Sequence, residues 1–119
     1  MAYDLTQKLV IAISSRALFD LEEENALFDK EGLESYYKYQ IEHLNDPLER
    51  GSGFRFVQNL LAINKKFDNK LIEVIILSRN NAATGLRIGR SLGYYDLDIE
   101  RTGWTAGRAV SHYLEPFKV

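Results

Sequence analysis

Two short, almost unbroken apolar segments place the strongest constraint on what this chain can fold into. Leu9–Ile13 ends at Ser14-Ser15-Arg16, and Leu71–Leu77, interrupted by Glu73, ends at Ser78-Arg79-Asn80-Asn81. A strand with one side in solvent alternates apolar and polar residues, whereas a strand covered on both sides is apolar throughout. The two segments therefore predict strands inside a parallel sheet, each followed by a polar loop.

Helical periodicity fills the interval between these strands. Apolar residues recur three and four positions apart in two stretches: Leu33, Tyr36, Tyr37, Ile41 and Leu44, then Val57, Leu60 and Leu61. Such spacing predicts amphipathic helices. The interval from Phe19 to Gly53 is longer than a crossover between parallel strands needs. We therefore expect residues 19–53 to form a small helical cap inserted after the first strand.

The remaining segments continue the alternation of strands and helices. Ala82–Leu92 is predicted to be a helix in which Gly85 and Gly89 approach the sheet closely. The segments that follow are predicted as a third strand, a short helix and the start of a further strand: Tyr94–Glu100, Arg108–Leu114 and Pro116–Val119. We therefore expect residues 1–119 to form a single α/β domain with a small parallel sheet flanked by helices.

Charge and composition exclude several classes of function. The formal net charge is -2, so no overall positive field favours nucleic acid or an anionic membrane as a partner. The chain contains no cysteine, which excludes disulfides, zinc–thiolate sites and thiol catalysis. The longest apolar run, Leu9–Ile13, is far too short for a membrane span. We predict a cytoplasmic protein.

The polar ends of the two predicted strands form the candidate ligand site. In open parallel sheets, ligands bind beyond the carboxyl ends of the strands. Serine hydroxyls donate hydrogen bonds to phosphate oxygens, and arginine adds a bidentate cation. The predicted phosphate or substrate contacts are Ser14, Ser15, Arg16, Ser78, Arg79 and Asn80. The alternative is that the serines and asparagine are helix caps and turn residues, for which they are equally suited.

Three further groups of residues allow a functional or a structural interpretation. The segment Thr102–Arg108 either presents Trp104 to a base or is an ordinary glycine-containing loop. Asp20 and Glu22–Glu24 either ligate Mg²⁺ or form the solvated first turn of a helix. The tyrosines of the first helical stretch are interpreted as core and cap residues rather than as a base-stacking platform: Tyr36, Tyr37 and Tyr39.

Ile11–Phe19 resembles the amino-terminal segment of type I cytosolic 5'-nucleotidases, which hydrolyse nucleoside monophosphates, AMP in particular. Further matching segments follow in the order of that family over nearly the whole chain: Tyr37–His43, Phe56-Val57, Ala62–Asn64, Asn80-Asn81 and Tyr95–Arg101. The family is similar to haloacid-dehalogenase phosphatases, which use two aspartates and Mg²⁺ to transfer a phosphoryl group to water. The resemblance implies a haloacid-dehalogenase-like half with a helical insert.

The resemblance also implies which functional residues this segment contains. The family's D-x-D-x-[TV] motif is expected downstream of Val119. Aligning Phe19 with the trailing aromatic residue of such a motif places Ile13 and Ser15 at its aspartate positions, and a shift by one residue places Ser14 and Arg16 there. Neither register has a nucleophile. Ser78 matches the serine or threonine that contacts phosphate in such phosphatases, and Arg108 matches their third motif loosely. No catalytic residue and no metal ligand is therefore expected within the chain.

The sequence thus predicts the amino-terminal part of an AMP-type 5'-nucleotidase. Its catalytic aspartates, and the ligands of the Mg²⁺ that the resemblance implies, are expected outside residues 1–119. The expected partners are a nucleoside monophosphate and either the remaining half of the enzyme or a second copy of the chain. The missing aspartates motivate the alternative, a noncatalytic nucleotide-binding or subunit-pairing module.

Overall fold

The computed structural model describes residues 8–67, 71–80 and 82–119. Its helices and strands in chain order are β1 Leu9–Ile13, α1 Ser15–Leu18, β2 Phe19–Asp20, α2 Glu22–Glu31, α3 Leu33–Glu42, β3 Glu49–Arg50, α4 Phe54–Asn64, β4 Ile72–Ser78, α5 Ala82–Tyr94 and β5 Thr102–Trp104. A 3₁₀ turn, Val110–Tyr113, follows β5. No helix within the described ranges is long and apolar enough to cross a membrane.

β4 is the central strand of a three-stranded parallel sheet with the order β1-β4-β5. Leu9 pairs with Ile72 on one side of β4, and Ile76 pairs with Thr102 on the other. Residues 73–78 are all buried, as is typical of a parallel strand that has neighbours on both sides. The predicted α/β class, its small parallel sheet and its first two strands are confirmed.

The two faces of the sheet support cores of different size. Val74 and Ile76 point into the larger core, which also contains residues from α1, β2, α4 and α5: Leu18, Phe19, Val57, Leu61, Ile88 and Leu92. The opposite face of β4 packs against Val10, and the carboxyl-terminal residues Tyr113 and Phe117 partly cover it. Because alternate residues of β4 pack into different cores, the segment is almost continuously apolar.

The prediction of a third strand at Tyr94–Glu100 is wrong. α5 continues to Tyr94, and the third strand is formed by Thr102–Trp104 instead. Leu97 is buried, and Ile99 is partly buried against the larger core. An irregular segment that buries every second side chain produces the same alternation as a strand, so the pattern alone misplaced β5.

The carboxyl-terminal predictions are corrected as well. The short helix expected at Arg108–Leu114 is only the 3₁₀ turn Val110–Tyr113. The start of a strand expected at Pro116–Val119 is a turn, in which Phe117 N–H donates to Tyr113 O at 3.1 Å. The Phe117 ring packs, partly buried, against the smaller core.

The two glycines of α5 have different surroundings, although both were predicted to approach the sheet. A Cβ atom at Gly85 would lie 2.6 Å from Trp104 Nε1, whereas one at Gly89 would have no heavy atom within 4 Å. Gly85 therefore permits close packing of α5 against β5. Gly89 has no such role.

Residues 19–53 form α2, α3 and a two-stranded antiparallel ribbon, β2–β3. Buried polar contacts attach this insert to α5. Tyr36 Oη lies 2.7 Å from Thr84 Oγ1, and Arg87 Nη1 donates to Glu24 Oε1 at 2.7 Å. The insert therefore packs on α5, and its role as a cap stays a prediction.

Candidate functional site

A cavity of about 460 Å³ lies at the carboxyl ends of β1 and β4. We call it the polar cavity. Its lining includes all six residues predicted as ligand contacts: Ser14, Ser15, Arg16, Ser78, Arg79 and Asn80. Asn25, Leu77 and Val110 complete the described lining. The volume is within the range of about 300–1,000 Å³ that is typical of small-molecule sites.

The register between β1 and β4 brings the two serine segments together. Ile13 pairs with Ile76, so Ser15 and Ser78 lie side by side two residues further on. Ser15 N–H donates to Ser78 Oγ at 2.8 Å, and Ser78 Oγ donates to Ser15 Oγ at 2.9 Å. Ser15 Oγ in turn donates to Asn80 Oδ1 at 2.6 Å. The three side chains form one directional relay, which satisfies buried polar groups without a ligand.

Ser14 is the N-cap of α1. Its Oγ accepts a hydrogen bond from Ala17 N–H at 3.3 Å. Together with the relay, this contact means that the serines do act as cap and turn residues in the structure. Ligand contact by the same residues stays a prediction.

Arg79 shapes the wall of the polar cavity. Its Nε and Nη2 donate to Gly107 O at 3.0 and 2.6 Å. In return, Gly107 N–H donates to Arg79 O at 2.9 Å. Gly107 has a φ of 94°, a left-handed conformation that favours glycine. The guanidinium group thus holds the loop after β5 against the end of β4.

Arg16 differs from Arg79 in having an unengaged guanidinium group. It is exposed, and it forms no ion pair or side-chain hydrogen bond with the described residues. No carboxylate belongs to the described lining of the polar cavity. Two arginines without a nearby acid produce a positive potential, which favours an anion in this position.

The described residues do not fit a Mg²⁺ site. Hard divalent cations select carboxylate and carbonyl oxygens, whereas the charged groups of the polar cavity are both cations. In the acidic cluster, Asp20 Oδ1 accepts from Glu22 N–H at 3.0 Å, and Glu24 pairs with buried Arg87. Across residues 8–67, 71–80 and 82–119, no three His, Asp or Glu side chains are grouped to hold a metal ion. Asp20 and Glu24 therefore make the contacts that the structural interpretation of the cluster expects.

The segment Thr102–Arg108 contributes to packing more than to the polar cavity. Trp104 is partly buried against the larger core, close to Gly85, and it is absent from the described lining of the polar cavity. Arg108 is exposed and is absent from the described lining of the polar cavity. The loose match of Arg108 to a phosphatase motif gains no support from its position.

A second cavity, of about 450 Å³, adjoins the polar cavity. We call it the aromatic cavity. It is lined by α2 and α3 residues and by the loop after β5: Phe28, Leu33, Tyr36, Tyr37, Ala106 and Gly107. Asn25, Arg79 and Asn80 line both cavities. Sequence reasoning missed this feature because it interpreted the tyrosines as core and cap residues. Tyr36 is buried, at 6% exposure, whereas Tyr37 is 46% exposed.

The phenol of Tyr39 has a perturbed pKa. Burial raises the pKa of its phenol above the ordinary value of 10.0, and the carboxylates of Glu23 and Glu24 raise it further, while Arg87 lowers it. The ring lies parallel to that of His43, with centroids 3.9 Å apart. Tyr39 therefore stays neutral at neutral pH.

Comparison with known proteins identifies the family. The sequence profile described as 5'-nucleotidase matches residues 1–119. The chain belongs to the 5'-nucleotidase family. Among curated relatives, cytosolic 5'-nucleotidase 1B of Homo sapiens is 32% identical over 115 residues, which cover 92% of this chain and 19% of the human protein. The chain thus spans about a fifth of the length of that relative. None of the solved structures matches it significantly.

Membership of the 5'-nucleotidase family confirms the resemblance read from the sequence. The match includes both strand ends that form the polar cavity. Two arginines and no described carboxylate line this cavity.

Proposed function

We propose that this chain supplies the phosphate-contacting part of an enzyme that hydrolyses nucleoside monophosphates of the AMP type. Membership of the 5'-nucleotidase family and similarity to a human cytosolic 5'-nucleotidase support the proposal. Residues 1–119 are then the amino-terminal α/β domain of a longer nucleotidase, and residues 19–53 its helical cap. The protein acts in the cytoplasm.

The observation that carries the proposal is the charge of the polar cavity. Arg16 and Arg79 line it, Arg16 has an unengaged guanidinium group, and no described carboxylate opposes them. The cavity lies at the carboxyl ends of adjacent parallel strands, where α/β proteins bind ligands. A guanidinium group forms short, charge-assisted hydrogen bonds with phosphate oxygens. Arg16 is therefore the principal phosphate contact, and the serine relay holds the strand ends in place.

Hydrolysis requires groups that the polar cavity lacks. Phosphoryl transfer to water needs a nucleophile, a general acid or base and concentrated positive charge. Under the proposal, the aspartates that provide the nucleophile and the acid, and the ligands of Mg²⁺, belong to other parts of the protein, in a haloacid-dehalogenase-like arrangement. The described residues bind and orient the phosphate. The catalytic groups come from those other parts of the protein and act on the phosphate at the carboxyl ends of β1 and β4.

The test is calorimetric binding of AMP to the intact protein without added divalent metal, followed by phosphate release with Mg²⁺. Arg16→Ala should weaken AMP binding about 10- to 150-fold, the loss expected for one charge-assisted contact. Arg90→Ala is the matched control, because Arg90 is exposed and lines a different cavity. Equal affinities of wild type and Arg16→Ala would refute the assignment of phosphate to the polar cavity.

A noncatalytic nucleotide-binding or subunit-pairing module is the second candidate function. The absence of any carboxylate from the described lining of the polar cavity favours it. A second observation is that β1 is an edge strand of the sheet and that its Leu9 is 62% exposed, since an exposed edge strand can pair with another chain. The same assay separates the two functions. AMP binding by the intact protein without phosphate release would favour the module, and release that needs Mg²⁺ would favour the enzyme.

A further inference from the structure

The polar and aromatic cavities are two compartments of one depression. Asn25, Arg79 and Asn80 line both of them. One compartment has arginine side chains and no described carboxylate, and the other has exposed aromatic and aliphatic side chains. A ligand that extends across the shared residues therefore meets cations at one end and apolar rings at the other.

We propose that the aromatic cavity binds the base of the nucleoside monophosphate whose phosphate lies in the polar cavity. This inference rests on the proposed function and adds to it the position of the base. A nucleoside monophosphate has the required asymmetry, since an anionic phosphate and a flat, largely apolar ring system are joined through a sugar. The base contacts are then residues of α2 and α3, and the phosphate contacts are residues at the ends of β1 and β4.

Tyr37 is the ring best placed to stack on the base. It is 46% exposed, and among the described residues it has no ring contact or hydrogen bond that would occupy it. Two further rings line the same cavity: Phe28 meets Tyr36 edge-on at a centroid distance of 5.5 Å, and Tyr36 Oη lies 2.7 Å from Thr84 Oγ1. An exposed aromatic face beside such a pair is a suitable surface for a planar ligand.

An unpaired amide lies where the two compartments meet. Asn25 Nδ2 is one of two buried side-chain polar atoms in the described chain that have no hydrogen-bond partner. Buried donors are normally paired, and those that are not frequently indicate a missing ligand or water. A sugar or phosphate oxygen that spans the two cavities supplies an acceptor at this position.

The same residues build the wall between the compartments. Ala106 N–H donates to Asn80 O at 3.2 Å, next to the contact between Arg79 and Gly107. Ala106 and Gly107 line the aromatic cavity, while Asn80 accepts from the serine relay of the polar cavity. The position of the base site relative to the phosphate site is therefore set by the end of β4.

The experiment is calorimetric titration of the intact protein, without added divalent metal, with AMP and with ribose 5-phosphate, which lacks the base. Tyr37→Ala should weaken AMP binding about 5- to 150-fold, the range for loss of one stacked ring, and should not change binding of ribose 5-phosphate. Tyr37→Phe should retain AMP affinity because the ring remains. Tyr94→Ala is the matched control: Tyr94 is 69% exposed and is absent from the described lining of both cavities.

The outcomes separate this inference from the proposed function. If Tyr37→Ala binds AMP as tightly as the wild type while Arg16→Ala binds it more weakly, the base lies elsewhere and the phosphate assignment stands. The aromatic cavity would then be a packing surface for another part of the protein. If the wild type does not bind AMP, both the proposed function and the position of the base are wrong.

Discussion

Ser15 and Ser78, 63 positions apart in the chain, are joined by two hydrogen bonds. The backbone N–H of Ser15 donates to Ser78 Oγ, and Ser78 Oγ donates to Ser15 Oγ. Both residues are almost completely buried, at 1% and 6% exposure. This pair locks the loop after β1 to the end of β4, so the geometry of the polar cavity is set before any ligand arrives.

Ser78→Ala should lower the free energy of unfolding by about 1–3 kcal/mol, because the buried N–H of Ser15 loses its acceptor. Chemical denaturation measures the change. Ser52→Ala is the control, since Ser52 is exposed and forms no side-chain hydrogen bond within the described chain. Ser78→Ala, unlike this control, should also bind AMP more weakly. Wild-type stability in Ser78→Ala would contradict the structural role of the pair.

Arg87→Leu should destabilise the protein by about 3–5 kcal/mol, because it leaves the Glu24 carboxylate buried and unpaired. The two side chains are each 6% exposed and 2.7 Å apart. Lys38→Leu removes the exposed pair with Glu42 and should cost less than about 1 kcal/mol. The double variant Arg87→Leu/Glu24→Leu should lose less than the sum of its single changes, since no charge then stays buried. If the stability lost in the double variant equals the sum of the losses in the two single variants, Arg87 and Glu24 are not directly coupled.

Gly85→Ala and Gly89→Ala should change stability in opposite directions. At Gly85 the new methyl group would lie 2.6 Å from Trp104 Nε1, and such overpacking typically costs about 1–3 kcal/mol. At Gly89 the methyl group meets no heavy atom within 4 Å, so the higher helix propensity of alanine should add about 0.5–1 kcal/mol. Thermal unfolding of the two variants measures both effects, and a stabilised Gly85→Ala would refute the close packing of α5 on β5.

The raised pKa of Tyr39 predicts a loss of stability at alkaline pH. Because the folded state favours the neutral phenol, the unfolded state loses its proton first as the pH rises. The stabilisation is complete below the ordinary pKa of 10.0 and is lost as the pH rises through the higher pKa of the folded state. Urea denaturation of wild type and Tyr39→Phe from about pH 8 to pH 11 isolates this contribution. The wild type should lose stability relative to Tyr39→Phe over the upper part of that range, because only the wild type has this phenol to ionise.

The predicted ligand residues came together because parallel strands end on the same edge of a sheet. Continuous apolar segments located β1 and β4, and the polar residues after each strand were then expected to meet. The structure places them around one cavity, from Ser14 to Asn80. The hydrogen-bond relay among them could not be predicted, since it depends on the exact register of the strands.

Sequence patterns failed where burial was produced by irregular structure. Leu97 and Ile99 alternate as in a strand, yet they pack on the core from a loop, and β5 begins only at Thr102. The exposure of Tyr37 could not be predicted either, because helical periodicity indicates which side of a helix is apolar but not what covers that side.

The sequence by itself determined the family, the α/β class, the two main strands and the six polar residues at their ends, because these depend on local pattern and on the order of matching segments. The tertiary structure alone decided the partners of those residues. Arg87 pairs with Glu24, Tyr36 with Thr84 and Arg79 with the loop after β5. Such contacts join positions far apart in the chain, and their geometry is set by how the insert and α5 pack together.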